Sequence, residues 1–474
     1  MMTSQLQTEL CESDIIYKTN NMKHKFSTII LIAFLLLVKK VNGQWTTICN
    51  IGNGFVDSFD TLNGELYATG FFSTICGTPN NHVAKYNGST WQAVGNGFPN
   101  SGHHLETIDN ELYGVGYQPA IDSNWLYKFD GTNFNKFGEG VYLTTAVVGF
   151  SQTANLYNII AYNGNTIVSG EFDRVGSKHI SGIMQWNGTQ WDSLASGLSG
   201  NIPSTPPVMY PHDMCLFGTD LIVAGNFHLA GGQIVNGIAR WDGTQWRPMG
   251  QGFNSTVYGV GVFNGELYAG GDFTMSGTTQ LTYIAKWNGT NWIDPGFRMF
   301  YSSTSNYSFI HTLKVLNNKL IICGGFDKAV FGVDTMNCQA IVSYDGTILD
   351  TMSGGLPNEE VEAIAIYNGQ LFAGGGPNNS SSSISSYNLS TGIQQTSKPS
   401  ISINIFPNPT HSNFNIVSEQ NIDEIKISNL VGQIIYQTKP NQKNVSLNLE
   451  KEGIYFVTTT SYKQTNTQKL TVTR

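Results

Sequence analysis

"IARWDGTQWRPMGQGF", residues 238–253, decides the fold. It reads as a short alternating strand, an Asp-Gly turn and a return strand, with Trp241 before the turn and Trp246 after it. Both central positions of a two-residue hairpin turn need positive φ, which Asn-Gly and Asp-Gly supply at little steric cost. The phrase recurs as "MQWNGTQWDSLASGL" from Met184 and as "IAKWNGTNWIDPGF" from Ile284, pairing Trp186 with Trp191 and Trp287 with Trp292. Looser copies pair Tyr86 with Trp91 and Phe129 with Phe134, and the phrase fades at Tyr344 and Tyr387.

Outward from these hairpins runs a second mark, a turn followed by an apolar strand that ends in glycine, as in "LNGELYATGFF" and "FNGELYAGGDF". The closing glycines are Gly70, Gly116, Gly170, Gly225, Gly271, Gly324 and Gly375, spaced 46 to 55 residues apart. Self-similarity at this period, with two hairpins per unit, predicts four antiparallel strands per repeat and an all-β, seven-bladed β-propeller. Period-two alternation and the 52 glycines exclude a repeat of helix pairs. Trp45, Trp91, Trp186, Trp191, Trp241, Trp246, Trp287 and Trp292 fall on the aromatic ladder and are expected to fill the space between stacked sheets. "QWTTICNIGNGF" at 44–55 resembles the end of a unit yet precedes the first whole one. The Trp45 segment is therefore expected to complete the last blade; residues 392–396 are the alternative.

Charged residues make up 12% of the chain and the net charge is −8, with no basic stripe that would neutralise phosphates, so nucleic acid is not an expected partner. The long apolar run, "FSTIILIAFLLLV" from Phe26 to Val38, follows Lys23, His24 and Lys25. As a helix it would reach about 20 Å, short of the roughly 30 Å hydrocarbon core. It reads as a signal-peptide core: residues 1–43 form the presequence, Met22 is the expected true start, and no transmembrane span is expected in the mature chain.

Cys49, Cys76, Cys215, Cys323 and Cys338 lie beyond the presequence, an odd set with no CxxC spacing for zinc. Cys323 and Cys338 close a strand-loop-strand segment and are placed either to bridge or to stay as two buried thiols. No metal, cofactor or catalytic residue is expected. The sequence carries no HExxH, GxSxG, phosphate-binding loop or EF-hand pattern.

In blades of this pattern both short turns fall on one face, so the longer connections share the other. His82, His103, His104, His179, His212, His228 and His311 lie in or beside those connections and are the candidate ligand-binding residues. Asp173, Asp272 and Asp327 are the acidic residues whose clustering near the axis would favour catalysis. The third-strand basic residues Lys85, Lys128, Arg240 and Lys286 are expected to lay their stems on a neighbouring blade with the charge at the edge.

Residues 44–393, on "LYAGGDF" followed by "IAKWNGTNW", resemble kelch-like propeller repeats of secreted bacterial proteins, although the spacing after the double glycine departs from true kelch repeats. A polar linker at 394–400 leads to a tail, 401–474, that is expected to be a small β-sandwich. Four of its elements, in order, resemble the type A C-terminal sorting domain of the Por, or type IX, secretion system. They are Pro407-Asn408-Pro409, Gly432-Gln433, Gly453 with Tyr455, and a last strand bearing Lys469 and Arg474. The resemblance implies a Gram-negative bacterium, engagement of the type IX machinery, cleavage of the tail, and a secreted or surface-attached product. A β-sandwich appended for packing or carbohydrate binding is the plainer reading. The expected function is non-catalytic binding of an extracellular protein or glycan; the alternative is a secreted enzyme acting on glycans, a lyase or hydrolase.

Overall fold

The structure is a computed structural model that describes residues 44–473 apart from 53, 118–122, 145–153, 201–208, 304–306, 357–358, 378–381, 390–402, 430–433 and 462–463. The expected presequence, the linker at 394–400, the alternative closing segment at 392–396, the Gly432-Gln433 pair and Arg474 lie outside the described residues. The chain divides into two compact units between Gly392 and Ile393. Among the described residues the fold is all-β, interrupted by a single 3-10 turn at Met352–Gly354.

In the first unit the repeat read from the sequence becomes a series of antiparallel sheets. Seven among the described residues share one plan: an inner strand, then three more strands running outward. Tyr210–Phe217, Asp220–Asn226, Ile238–Trp241 and Trp246–Pro248 make one such sheet, with the Asp-Gly turn joining its last two strands. Gly243 takes φ +95° there, and the Asp242 carboxylate accepts hydrogen bonds from the amides of Thr244 and Gln245, which fixes the turn. In the second sheet the outer strand Phe134–Tyr142 runs long and picks up a small hairpin, Arg174–Val175 with Lys178–His179.

The last sheet joins the two ends of this unit. Glu359–Tyr367, Gln370–Pro377 and Ser382–Asn388 come from the end of the repeat, and Trp45–Gly52 supplies the outer strand, pairing Trp45 with Tyr387. The Trp45 segment thus takes the place expected of it. Trp45 Nε1 also donates to the Met352 carbonyl at 3.0 Å.

Apolar cores sit between sheets. Tyr162, Ile167 and Leu194 of the third sheet pack with Leu221, Val223 and Trp246 of the fourth. Phe372 and Ile384 of the last pack with Phe59, Leu66 and Trp91 of the first. Every consecutive pair of sheets shares such a core, including the last with the first. Trp191, Trp246 and Trp292 are fully buried in them, whereas Trp45, Trp186 and Trp287 are half-buried at their margins. Trp246 Nε1 donates to the Leu194 carbonyl at 2.9 Å and Trp292 Nε1 to that of Met249 at 3.1 Å, so each indole ties its sheet to the unit before it.

Cys323 and Cys338 take the second of the two states expected of them: both are buried and free. Cys323 packs with Ile321 and Ile341 toward the last sheet, whereas Cys338 packs with Ile322 and Phe326 on the opposite side, so the sheet itself separates the thiols. The disulfide joins Cys49, on the closing strand, to Cys76 in the first sheet's own connection. The third-strand basic residues Lys85, Arg240 and Lys286 pair with Glu65, Asp220 and Glu266 on the adjacent strand, and Lys128 with Glu111, in ion pairs that stay partly exposed.

The second unit comprises a three-stranded and a four-stranded antiparallel sheet over a core containing Phe414, Ile416, Ile425, Ile427, Tyr455 and Leu470. Asn408 clasps the last strand, donating to the Lys469 carbonyl at 2.7 Å and accepting from the Thr471 amide at 2.9 Å. The Tyr455 hydroxyl donates to the Lys451 carbonyl at 2.8 Å.

Candidate functional site

The inner strands share a defect. In each, the register against the second strand slips by one residue near the strand's start: between Val56 and Ser58, Gly102 and His104, Leu156 and Asn158, Pro211 and Asp213, Val257 and Gly259, Ile310 and Thr312, and Val361 and Ala363. A β-bulge leaves its extra residue out of the ladder and re-aims its side chain. The extra residues are Asp57, His103, Tyr157, His212, Tyr258, His311 and Glu362.

All seven line one cavity of about 530 Å³ between the inner strands. They follow one another around its wall. His103 Nδ1 lies 3.6 Å from Asp57. The rings of His103 and Tyr157, Tyr157 and His212, His212 and Tyr258, and Tyr258 and His311 have centroids 6.0, 6.0, 5.0 and 5.7 Å apart. Thr312, next to His311, donates its hydroxyl to the Glu362 carbonyl at 2.7 Å. The Glu362 carboxyl in turn lies against that of Asp57. Five aromatic rings and a carboxyl pair therefore encircle the opening. It lies toward the long connections, because each bulge stands near the start of a strand that leaves such a connection.

The wall is stiffened from behind. The Tyr157 hydroxyl reaches Glu171 at 3.3 Å, and Asp272 stands beside the Tyr258 hydroxyl. Asp213 accepts hydrogen bonds from Asn158 and from the amides of Met214 and Val260, bridging three neighbouring inner strands. Deeper in, Lys314 and Glu106 line the cavity, and His104 stands 3.6 Å from Glu106.

Partial burial shapes the charge state. Desolvation pulls the His212 imidazole down to about 4, with the neighbouring His311 acting in the same direction, so His212 is neutral at pH 7. Burial also lowers His311. It pushes the Asp213 carboxyl up to about 6 against the two backbone donors that hold it down. Burial first, and then the adjacent Asp57 charge, drive Glu362 well above the usual carboxylate range.

Of the histidines expected on the long-loop side, the structure brings four together. His103, His212 and His311 are bulge residues and His104 is the next in line, so they stand on inner strands at the cavity wall, not in loops. His82, His179 and His228 stay apart on second-to-third-strand connections. His82 stacks on Phe71, His179 lies near Arg174 on an exposed hairpin, and the His228 backbone hydrogen-bonds Ser199 and Val235. Asp173 and Asp327 do not reach the cavity: each binds the segment arriving from the unit before it, at Thr144 and Ser302.

Asp57, Tyr157, Tyr258 and Glu362 were not among the candidates, although a signal for them exists. Each bulge residue stands thirteen positions before a closing glycine. Those glycines answer the bulge directly: a Cβ on Gly170 would collide with the Asn155 carbonyl oxygen, and one on Gly225 with that of Tyr210.

Residues 404–473 match the family described as the secretion system C-terminal sorting domain. No curated protein matches the chain. Among solved structures it is similar to PorZ, a bacterial surface component of the type-IX secretion system of Porphyromonas gingivalis. The identity is 15% and the TM-score 0.42, covering 88% of this chain and 59% of PorZ. It is similar to the extracellular domain of the putative one component system BT4673 from B. thetaiotaomicron at 11% identity and a TM-score of 0.43, covering 91% and 58% of the two chains. The β-propeller domain of the Trilobed protease from Pyrococcus furiosus aligns at 6% identity and a TM-score of 0.37, over 71% and 94%. This chain therefore spans less than two thirds of the first two structures. The C-terminal sorting domain implies export to the cell surface or the medium, and no helix among the described residues is long and apolar enough to cross a membrane.

Proposed function

We propose that residues 44–393 close into a seven-bladed β-propeller of kelch-like repeats that binds an extracellular protein or glycan, without catalysis, at the mouth encircled by the bulge residues. On this reading the signal peptide at 1–43 directs export from the cytoplasm of a Gram-negative bacterium. The 401–474 unit then engages the type IX machinery and is cleaved, leaving a secreted or surface-attached product. The core shared by the first and last sheets supports closure.

The observation that carries the binding reading is the ring itself, in which seven separate strands each spend a bulge to aim one side chain at the same opening. Aromatic faces with a few convergent polar groups are the usual make-up of a ligand pocket.

A glycan array and a surface pull-down with the mature chain, residues 44–474, test the reading. Binding lost in Tyr157→Ala or His212→Ala with folding intact supports it. Reproducible hydrolysis or elimination that disappears on changing one ring residue overturns it.

A further inference from the structure

The geometry points to a cationic group, an ammonium or a guanidinium, as the part of the ligand that seats at the Asp57–Glu362 side of the mouth. This inference rests on the reading of the mouth as a binding site and adds the chemistry of what enters it.

Charge balance at the wall gives the first reason. Asp57, Glu106, Asp213 and Glu362 line the cavity against a single lysine, Lys314, among the described residues. Asp213 is satisfied by three donors within the wall. Asp57 and Glu362 are not. The Glu362 carboxyl lies against that of Asp57 and near Glu360, Asp57 also faces His103 at 3.6 Å, and Asp57 Oδ2 is buried with no hydrogen-bond partner among the described residues. An ionised carboxylate accepts at several lone-pair sites, so this pair has acceptor capacity aimed at the opening.

Independently, His212 is deeply set in the wall and makes ring contacts with Tyr157, Tyr210 and Tyr258 but no hydrogen bond among the described residues. Its nitrogens are available to a ligand that crosses the mouth from the carboxyl pair. Cations are attracted to aromatic faces, and Tyr157 and Tyr258 flank this imidazole. An anion would meet the carboxyl pair with no fixed cation beside it.

Glu362 faces Asp57 and Glu360, and Asp57 faces His103 and His311, so a positive group that enters here takes the place a proton would hold between the carboxyls. Binding therefore weakens as the pH falls, because protons compete for the same carboxyls.

The test uses the mature chain, residues 44–474, with isotope-labelled histidines, titrated with n-butylguanidinium and with its neutral isostere n-butylurea at pH 7.5 and 5.5. The expected result is a saturable shift of the His212 and His311 resonances by the guanidinium, with His179 unmoved. Affinity for the urea should be at least tenfold weaker, and that for the guanidinium should fall at pH 5.5. Glu362→Gln and Asp57→Asn should each erase the preference between the probes. Equal binding of the two probes, or an unchanged preference in folded Glu362→Gln, overturns the proposal. A neutral glycan that shifts the same resonances while the guanidinium does not overturns the cation assignment and leaves the mouth as a binding site. Failure of every probe and glycan to move the ring resonances overturns both.

Discussion

Gly225 stands across the bulge from His212. The strand Asp220–Asn226 pairs Gly225 with Pro211 and Ala224 with Asp213, leaving His212 outside the ladder and facing the cavity. A Cβ on Gly225 would run into the Tyr210 carbonyl oxygen, so the bare glycine is what lets the bulged backbone come close. Gly225→Ala should therefore lower unfolding stability by about 2 kcal/mol or more, read by urea titration, and should shift the His212 resonance. A stability change below about 0.5 kcal/mol would show that the bulge does not depend on this contact.

Trp246 reaches back to the unit before it through its indole N–H and the Leu194 carbonyl. Trp246→Phe keeps most of the apolar bulk but strands a buried acceptor, and should cost about 1–3 kcal/mol in the same titration. A neutral result would mean that the indole is held by packing alone.

The disulfide links the closing strand to the first sheet across a sequence separation of 27 residues. Replacing Cys49 and Cys76 together by serine should lower stability by about 3.5 kcal/mol, the entropy of a loop of that length. Peptide mapping of the oxidised protein should find Cys49 joined to Cys76, with Cys215, Cys323 and Cys338 open to alkylation after unfolding. A Cys323–Cys338 peptide would contradict the structure.

The depressed His212 carries a pH signature. Its folded pKa of about 4 lies below the ordinary 6.5, so in the window between them the unfolded chain binds the extra proton and acid destabilises the fold. The raised carboxyls of Asp213 and Glu362 act oppositely, since the folded form takes up their protons first. Removing the imidazole isolates its share. Between pH 7.5 and 5, His212→Gln should gain about 2 kcal/mol of stability relative to the parent protein. A constant difference across that range would show that His212 is not desolvated.

How much of this was legible in the sequence follows from what each pattern encodes. The Asn-Gly and Asp-Gly turns, the closing glycines and the tryptophan ladder repeat in every strong unit, so strand order and the buried aromatics could be read from them. Even the closing strand at Trp45 was legible, because it copies the end of a unit. A bulge adds one residue without altering the apolar pattern. His212 consequently looked like a residue of the long connections and Tyr258 did not stand out at all, although the thirteen-residue interval to the next glycine was constant. The Cys49–Cys76 bridge depends on which sheet receives the first strand, and no spacing between cysteines reports that. Cys323 and Cys338 were close in sequence and were parted by the sheet between them.

The most direct test of the account asks whether residues from the two ends of the repeat meet at one opening. Asp57→Cys and Glu362→Cys are introduced together into the mature chain, which is then treated with a short bis-maleimide cross-linker and mapped by mass spectrometry. The account predicts an efficient cross-link between the peptides carrying positions 57 and 362, formed only in the folded protein. Absence of that cross-link in a folded, soluble double variant, with the introduced thiols alkylated separately, would contradict it.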